Sequence, residues 1–103
     1  MIDWDRVAEL RGEIGEDDFA EVIGMFLDEV EDKIRALRSN PDPATIEGDM
    51  HFIKSSALNI GFADLARVCY AGERAAAAGQ SVDLAPVFAT YDASRAAFMA
   101  DAP

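Results

Sequence analysis

FAEVIGMFLDEVEDKIRAL, residues 19–37, carries apolar side chains at Phe19, Val22, Ile23, Phe26, Leu27, Val30, Ile34 and Leu37. Spacings of three and four place them all on one stripe of a long helix, since a turn takes about 3.6 residues. Glu16, Asp17 and Asp18 stand before the stripe, and Lys33, Arg35 and Arg38 near its end. That charge order is the one a helix dipole favours. Such a stripe implies other helices to bury it.

The rest of the chain supplies them. A short segment from Asp3 to about Ile14 precedes the long helix and offers Trp4, Val7, Ala8 and Leu10 for packing. Ser-Asn-Pro-Asp-Pro at 39–43 breaks the chain, with Asp42 placed to cap the next helix and Pro43 suited to its first position. That helix is predicted to reach about Asn59 and stop near Gly61. Another starts near Phe62, carries Leu65, Val68, Cys69 and Gly72, and ends at Gly79-Gln80-Ser81. Its alanine run at 75–78 reads as a close helix contact, and Cys69 as core filler. The last helix opens near Asp83, tolerates Pro86 in its first turn, and buries Leu84, Val87, Phe88, Tyr91 and Phe98. The pattern shows no strand and no repeat. The fold class expected is all-α: an antiparallel up-down four-helix bundle, with the short N-terminal helix as a lid. Residues 1–103 read as a single domain, long enough to bury a core without staples.

Composition removes several function classes. The formal charge is −11, from 20 acidic and nine basic side chains, which argues against nucleic acid and anionic membranes as partners. Nine Asp or Glu and no Lys or Arg fall within residues 13–32. They read as a solvated face, with a steering surface for a basic partner as the alternative. No apolar run is long enough for a membrane span and no leader opens the chain, so the cytoplasm is the expected location. One cysteine excludes an internal disulfide and a cysteine-based zinc site.

His51 is the only histidine. Around its helix Ile46, Met50, Ile53, Ala57 and Ile60 share one arc roughly 80° wide, and His51 lies about 140° from its centre. The imidazole is therefore expected in solvent, beside Glu47, Lys54, Ser55 and Leu58. Gly48 and Ser55, one turn either side of it, leave room for a large partner, and Gly48 weakens the helix by up to about 1 kcal/mol. A neutral imidazole offers a free ring nitrogen as nucleophile, and Lys54 a flexible cation for a phosphoryl oxygen. The chain shows no phosphate-cradling glycine loop, paired catalytic acids or Ser/His/Asp set. It reads as a phosphoryl carrier whose catalysis comes from its partners.

His51-Phe52-Ile53-Lys54-Ser55-Ser56-Ala57-Leu58-Asn59-Ile60-Gly61, followed by Leu65 and Cys69, resembles the signature of histidine-containing phosphotransfer (HPt) domains of two-component phosphorelays. The resemblance implies that His51 is phosphorylated and that Lys54 assists the phosphoryl group. It implies response-regulator receiver domains and a histidine kinase as partners, no cofactor on this chain, and Mg2+ on the partner receiver. The family usually has glycine where Ser55 stands, which bears on docking. Gly48, Phe52, Ser55, Leu58 and Met25 are the expected docking residues, and a monomer is expected. The chain opens on Met and closes soon after its last helical stretch, which suits a free-standing shuttle; a piece of a larger kinase is the alternative. The competing functional reading is a non-phosphorylated helical module that docks or inhibits a signalling partner, and a structural helical subunit is the third.

Overall fold

The computed structural model describes residues 1–101, with the side chain of Asp101 excepted. The last two residues of the expected 1–103 domain lie outside the described residues. Five helices and no strand occur among them: α1 (Trp4–Ile14), α2 (Glu16–Ser39), α3 (Ile46–Ile60), α4 (Ala63–Ala77) and α5 (Ala85–Asp101). At about 1.5 Å per residue the 24 residues of α2 extend roughly 36 Å. The molecule measures 42 × 22 × 21 Å, so α2 runs along most of its length.

The apolar stripe of α2 does what its spacing requires. Phe19, Ile23, Leu27, Val30, Ile34 and Leu37 are buried, while Val22 and Phe26 lie half-buried at the stripe's edges. Cross-helix pairs set the directions. Lys33 of α2 meets Asp49 of α3, and Arg38 of α2 reaches Asp92 of α5 and lies over the ring of Phe88. Helices α2 to α5 thus run up, down, up and down. Phe62, Met50, Ile53, Ile60 and Leu65 are among the largest fully buried side chains, each contributing roughly 1.5–3 kcal/mol by leaving water.

Helix α1 closes one end of this core. Asp3 caps it, its carboxylate accepting from the Arg6 amide at 3.1 Å. Val7 and Leu10 are buried, and the Trp4 ring stacks on Phe98 at 5.8 Å while staying partly exposed. Ala8, expected to pack, is exposed. The anchoring point is Gly61, the left-handed C-cap of α3 at φ +82°, whose carbonyl accepts from the Asp3 amide at 2.7 Å. Arg6 adds a hydrogen bond from Nε to the Asn59 carbonyl, satisfying one of the open acceptors at that helix end.

Two local expectations need correction. Asp42 does not cap α3. Its carboxylate accepts from the Ala44 amide and its carbonyl from the Thr45 amide, closing a separate turn, so the helix starts only at Ile46. The alanine run is not the close contact either, since Ala77 and Ala78 are exposed. The close approach falls one turn earlier, at buried Gly72, where a Cβ would lie 2.9 Å from Met50 Sδ. Cys69 is core filler as expected: it is fully buried, and burial pushes its thiol up to about 12.

Two glycines should respond oppositely to Ala. At Gly61 a Cβ would stand 2.7 Å from the Asp3 carbonyl oxygen in a left-handed conformation, so Gly61→Ala is expected to cost about 2 kcal/mol or more. At Gly48 nothing lies within 4 Å, and Gly48→Ala should stabilise by about 0.5–1 kcal/mol. Urea unfolding of the two variants checks both signs.

Candidate functional site

The site is built where α3 and α4 come together. Met50, Ile53 and Ala57 turn into the core with no exposure, and that orientation sends His51 outward. Its side chain is 60% exposed, as the helical arc requires. Lys54, one turn along, is not the free surface cation the sequence suggested. Its side chain is only 19% exposed, and its Nζ sits 2.6 Å from Glu73 Oε1.

Glu73, on α4, also meets the histidine: its Oε2 is 2.7 Å from His51 Nδ1. One carboxylate therefore bridges both side chains. Hydrogen bonds from Lys54 and then from His51 hold the Glu73 carboxyl below the usual carboxylate range. Ionised, it can only accept, so Nδ1 must carry the proton. In the neutral imidazole that selects the tautomer with its lone pair on Nε2, directed away from the bridge.

Sequence reasoning missed Glu73. The signal was present, because Glu73 is the only acidic residue between Asp64 and Asp83 in a chain holding 20 acids. Its pairing with His51 depends on helix register, which the spacing within one helix does not reveal.

The other expected residues divide between two sides of His51. Gly48 is exposed and Ser55 half-buried on α3 itself. On the α2 side the Lys33 amine lies 5.3 Å from the Phe52 ring centroid and is held 3.3 Å from Asp49. Met25 is exposed on α2, eight residues before Lys33 and so about 12 Å away along the helix. On the α4 side Leu58 is exposed and lines a shallow depression with Lys54, Ala63, Ala66, Arg67 and Tyr70. Tyr70 was not anticipated. Its ring lies 5.3 Å from Lys54 Nζ, which thus sits between a carboxylate and an aromatic face. Among the described residues no group of three or more His, Cys, Asp or Glu gathers closely enough to hold a metal ion. No described helix is long and apolar enough to cross a membrane.

The Hpt domain family model matches residues 21–99, from within α2 to near the end of α5. The chain belongs to the Hpt domain family, whose members carry phosphoryl groups in two-component signalling between kinases and receiver domains. The match spans the four bundle helices and leaves α1 outside it. No curated protein and no solved structure matches the chain.

The depressed Glu73 carboxyl sets a pH signature. Its contribution to stability is complete above the ordinary carboxylate value of 4.5 and is lost as pH falls through the lower value it has when folded. The gap in melting temperature between the parent and Glu73→Gln should therefore be constant at neutral pH and close only in more acidic solution. Melting curves from pH 7 to pH 3 measure it; a gap that closes above 4.5 would mean the bridge does not hold the carboxyl down.

Proposed function

We propose that His51 is the phosphoryl acceptor of this domain, exchanging the group with the aspartate of response-regulator receiver domains in a phosphorelay fed by a histidine kinase. The observation that carries the reading is the Glu73 bridge. In the neutral ring this contact favours the proton on Nδ1, with the Nε2 lone pair facing solvent from a rigid helix.

The transfer balances without a proton leaving the ring. The Nε2 lone pair attacks the phosphorus of an acyl phosphate on the receiver. The bond from phosphorus to the aspartyl oxygen breaks, and its electron pair returns to the aspartate. The imidazole becomes a phosphorylated imidazolium that still donates from Nδ1 to Glu73, and the carboxylate offsets the positive charge formed on the ring. In reverse, the N–P bond breaks and its electrons return to Nε2. Lys54 has three N–H donors and spends one on Glu73, so its others are available to a phosphoryl oxygen. This chain supplies the nucleophile and its orientation. Mg2+ belongs to the receiver, and no cofactor is needed here.

Gly48 and Ser55 serve by their size, leaving the approach to Nε2 open above and below the imidazole. Ser55, in place of a glycine, narrows that approach by one hydroxymethyl group. Leu58 offers the nearest exposed apolar surface. Burying it in a partner would contribute about 1.5–3 kcal/mol, a tenfold or larger change in affinity.

His51→Gln should abolish phosphoryl acceptance and leave the helical circular dichroism intact, since the imidazole is exposed and the glutamine amide keeps an N–H donor for Glu73. Lys54→Ala should slow transfer by about threefold to tenfold, the scale of a charge contact worth on the order of 1 kcal/mol, without stopping it. Acid-labile label counted on each variant decides the matter. Label retained on the His51 variant contradicts the assignment, and a fully active His51 variant in signalling would instead favour a docking module.

A further inference from the structure

The acidic segment 13–32 plays no part in the His51 site. Most of it lies on α2, which meets α5 only loosely, because α5 packs chiefly on α4. Around the bundle α2 pairs with α3 through Lys33 and Asp49 and with α5 through Arg38 and Asp92. The α2–α5 seam is therefore on the side opposite the α3–α4 seam that carries His51. It holds an open groove of about 240 Å³. Phe19, Ile23, Leu27 and Phe98 form its floor, and Met99 stands exposed on one wall. Ala20 and Gly24 keep the α2 wall low. A Cβ at Gly24 would meet nothing within 4 Å, so no contact among the described residues calls for glycine inside a helix that it weakens.

Carboxylates flank the groove. At about 100° per residue, Asp17, Glu21, Asp28 and Glu31 fall within roughly 100° of Ala20, on the side of Gly24. Glu13, Glu16 and Asp32 pair with Arg6, Arg11 and Arg35, but those four have no ion-pair partner among the described residues. Further along the seam Tyr91 lines a depression of about 140 Å³ with Glu31. Tyr91 is 2% exposed, and its hydroxyl has no hydrogen-bond partner among the described residues. Burial pushes that hydroxyl up, and the carboxylates of Glu31, Asp92 and Asp28 add to the effect against Arg95. Arg35 and Arg38 line the same depression, each already tied to a carboxylate, Asp32 or Asp92.

We propose that the α2–α5 groove is a docking site for a basic amphipathic helix of a partner protein, bound on the side of the bundle opposite His51. The proposal goes beyond phosphotransfer and does not depend on it. Charge complementarity identifies the occupant. An apolar stripe at spacings of three and four fills the groove, and Lys or Arg beside that stripe reach Asp17, Glu21, Asp28 and Glu31. A donor entering the further depression meets the unpartnered Tyr91 oxygen as well as Glu31. From Glu16 to Leu27 the groove runs about 16 Å along α2, which three turns of a partner helix match. A second copy of this chain is the wrong occupant, because its formal charge of −11 would bring like charges together across the seam. A helix held there leaves the imidazole free, so the partner stays bound while His51 reacts.

The test titrates the isotope-labelled full chain with a synthetic leucine–lysine peptide of about 18 residues, its leucines at spacings of three and four. A peptide of the same composition with the leucines scattered serves as the control. Amide shifts should concentrate at Ala20, Gly24, Leu27 and Met99 and leave His51 and Leu58 unmoved. The patterned peptide should bind at least about tenfold more tightly than the scattered one. Ala20→Arg, which fills the groove with bulk and like charge, and Asp28→Lys, which reverses one flanking charge, should each weaken binding by about tenfold. Both positions are exposed, and Asp28→Lys should also reduce the sensitivity of binding to added salt. Glu47→Lys makes the same charge change on exposed α3 and should leave the affinity unaltered. Absence of binding, equal affinity for the two peptides, shifts centred on the His51 face, or parental affinity in Ala20→Arg each overturn the proposal. Sedimentation of the protein alone should show a monomer, and a dimer closed over Ala20 and Gly24 would overturn it as well.

Discussion

The Met50 thioether packs against α4 where a side chain at position 72 would stand. A Cβ on Gly72 would lie 2.9 Å from Met50 Sδ, 3.2 Å from its Cγ and 3.3 Å from Val82 Cγ1, so only glycine lets the two helices approach this closely. Met50 is fully buried, so making room for a side chain at 72 would mean repacking the thioether within the core. The residues following each member of this contact are His51 and Glu73. A buried approach therefore lies beside the exposed hydrogen bond, which spans 2.7 Å from Nδ1 to Oε2. Packing and chemistry are coupled here through adjacent residues on two helices.

That coupling explains why so small a domain can handle a reactive group without catalytic machinery of its own. The carboxylate that orients the imidazole also holds Lys54, so a single side chain from α4 arranges two from α3. Rigidity behind them comes from the core. Ile53 and Ala57 anchor the inner face of α3, and α1 ties down its C-terminal end through Asp3, Arg6 and Gly61. In the proposed transfer His51 needs no proton removed when it attacks. The remaining demands of the reaction fall on the partner.

Much of this was legible in the sequence, for identifiable reasons. The stripe from Phe19 to Leu37 predicted α2, since periodicity within one helix depends only on the helix. The outward direction of His51 followed in the same way from the arc of Met50, Ile53 and Ala57. The Hpt domain match agrees with the resemblance carried by residues 51–61. What the sequence hid depends on contacts between helices. Glu73 reads as an ordinary surface acid until α3 and α4 are set in register, and Lys54 as a free cation for the same reason. The alanine run drew attention as a contact because four small residues look like one, whereas the approach is made by the single Gly72. Asp42 looked like a cap because its residue type suits one, but its own backbone and carboxylate close a turn before the helix begins.

The central claim is that Glu73 holds the proton on Nδ1 and so directs the phosphoryl group to Nε2. Long-range proton–nitrogen NMR correlation on the isotope-labelled, phosphorylated protein places the group on one ring nitrogen or the other. Phosphorus on Nε2, with a protected Nδ1 proton shifted downfield by its carboxylate partner, is the predicted result. Phosphorus on Nδ1 would contradict it, because the Glu73 bond and that adduct cannot occupy the same nitrogen.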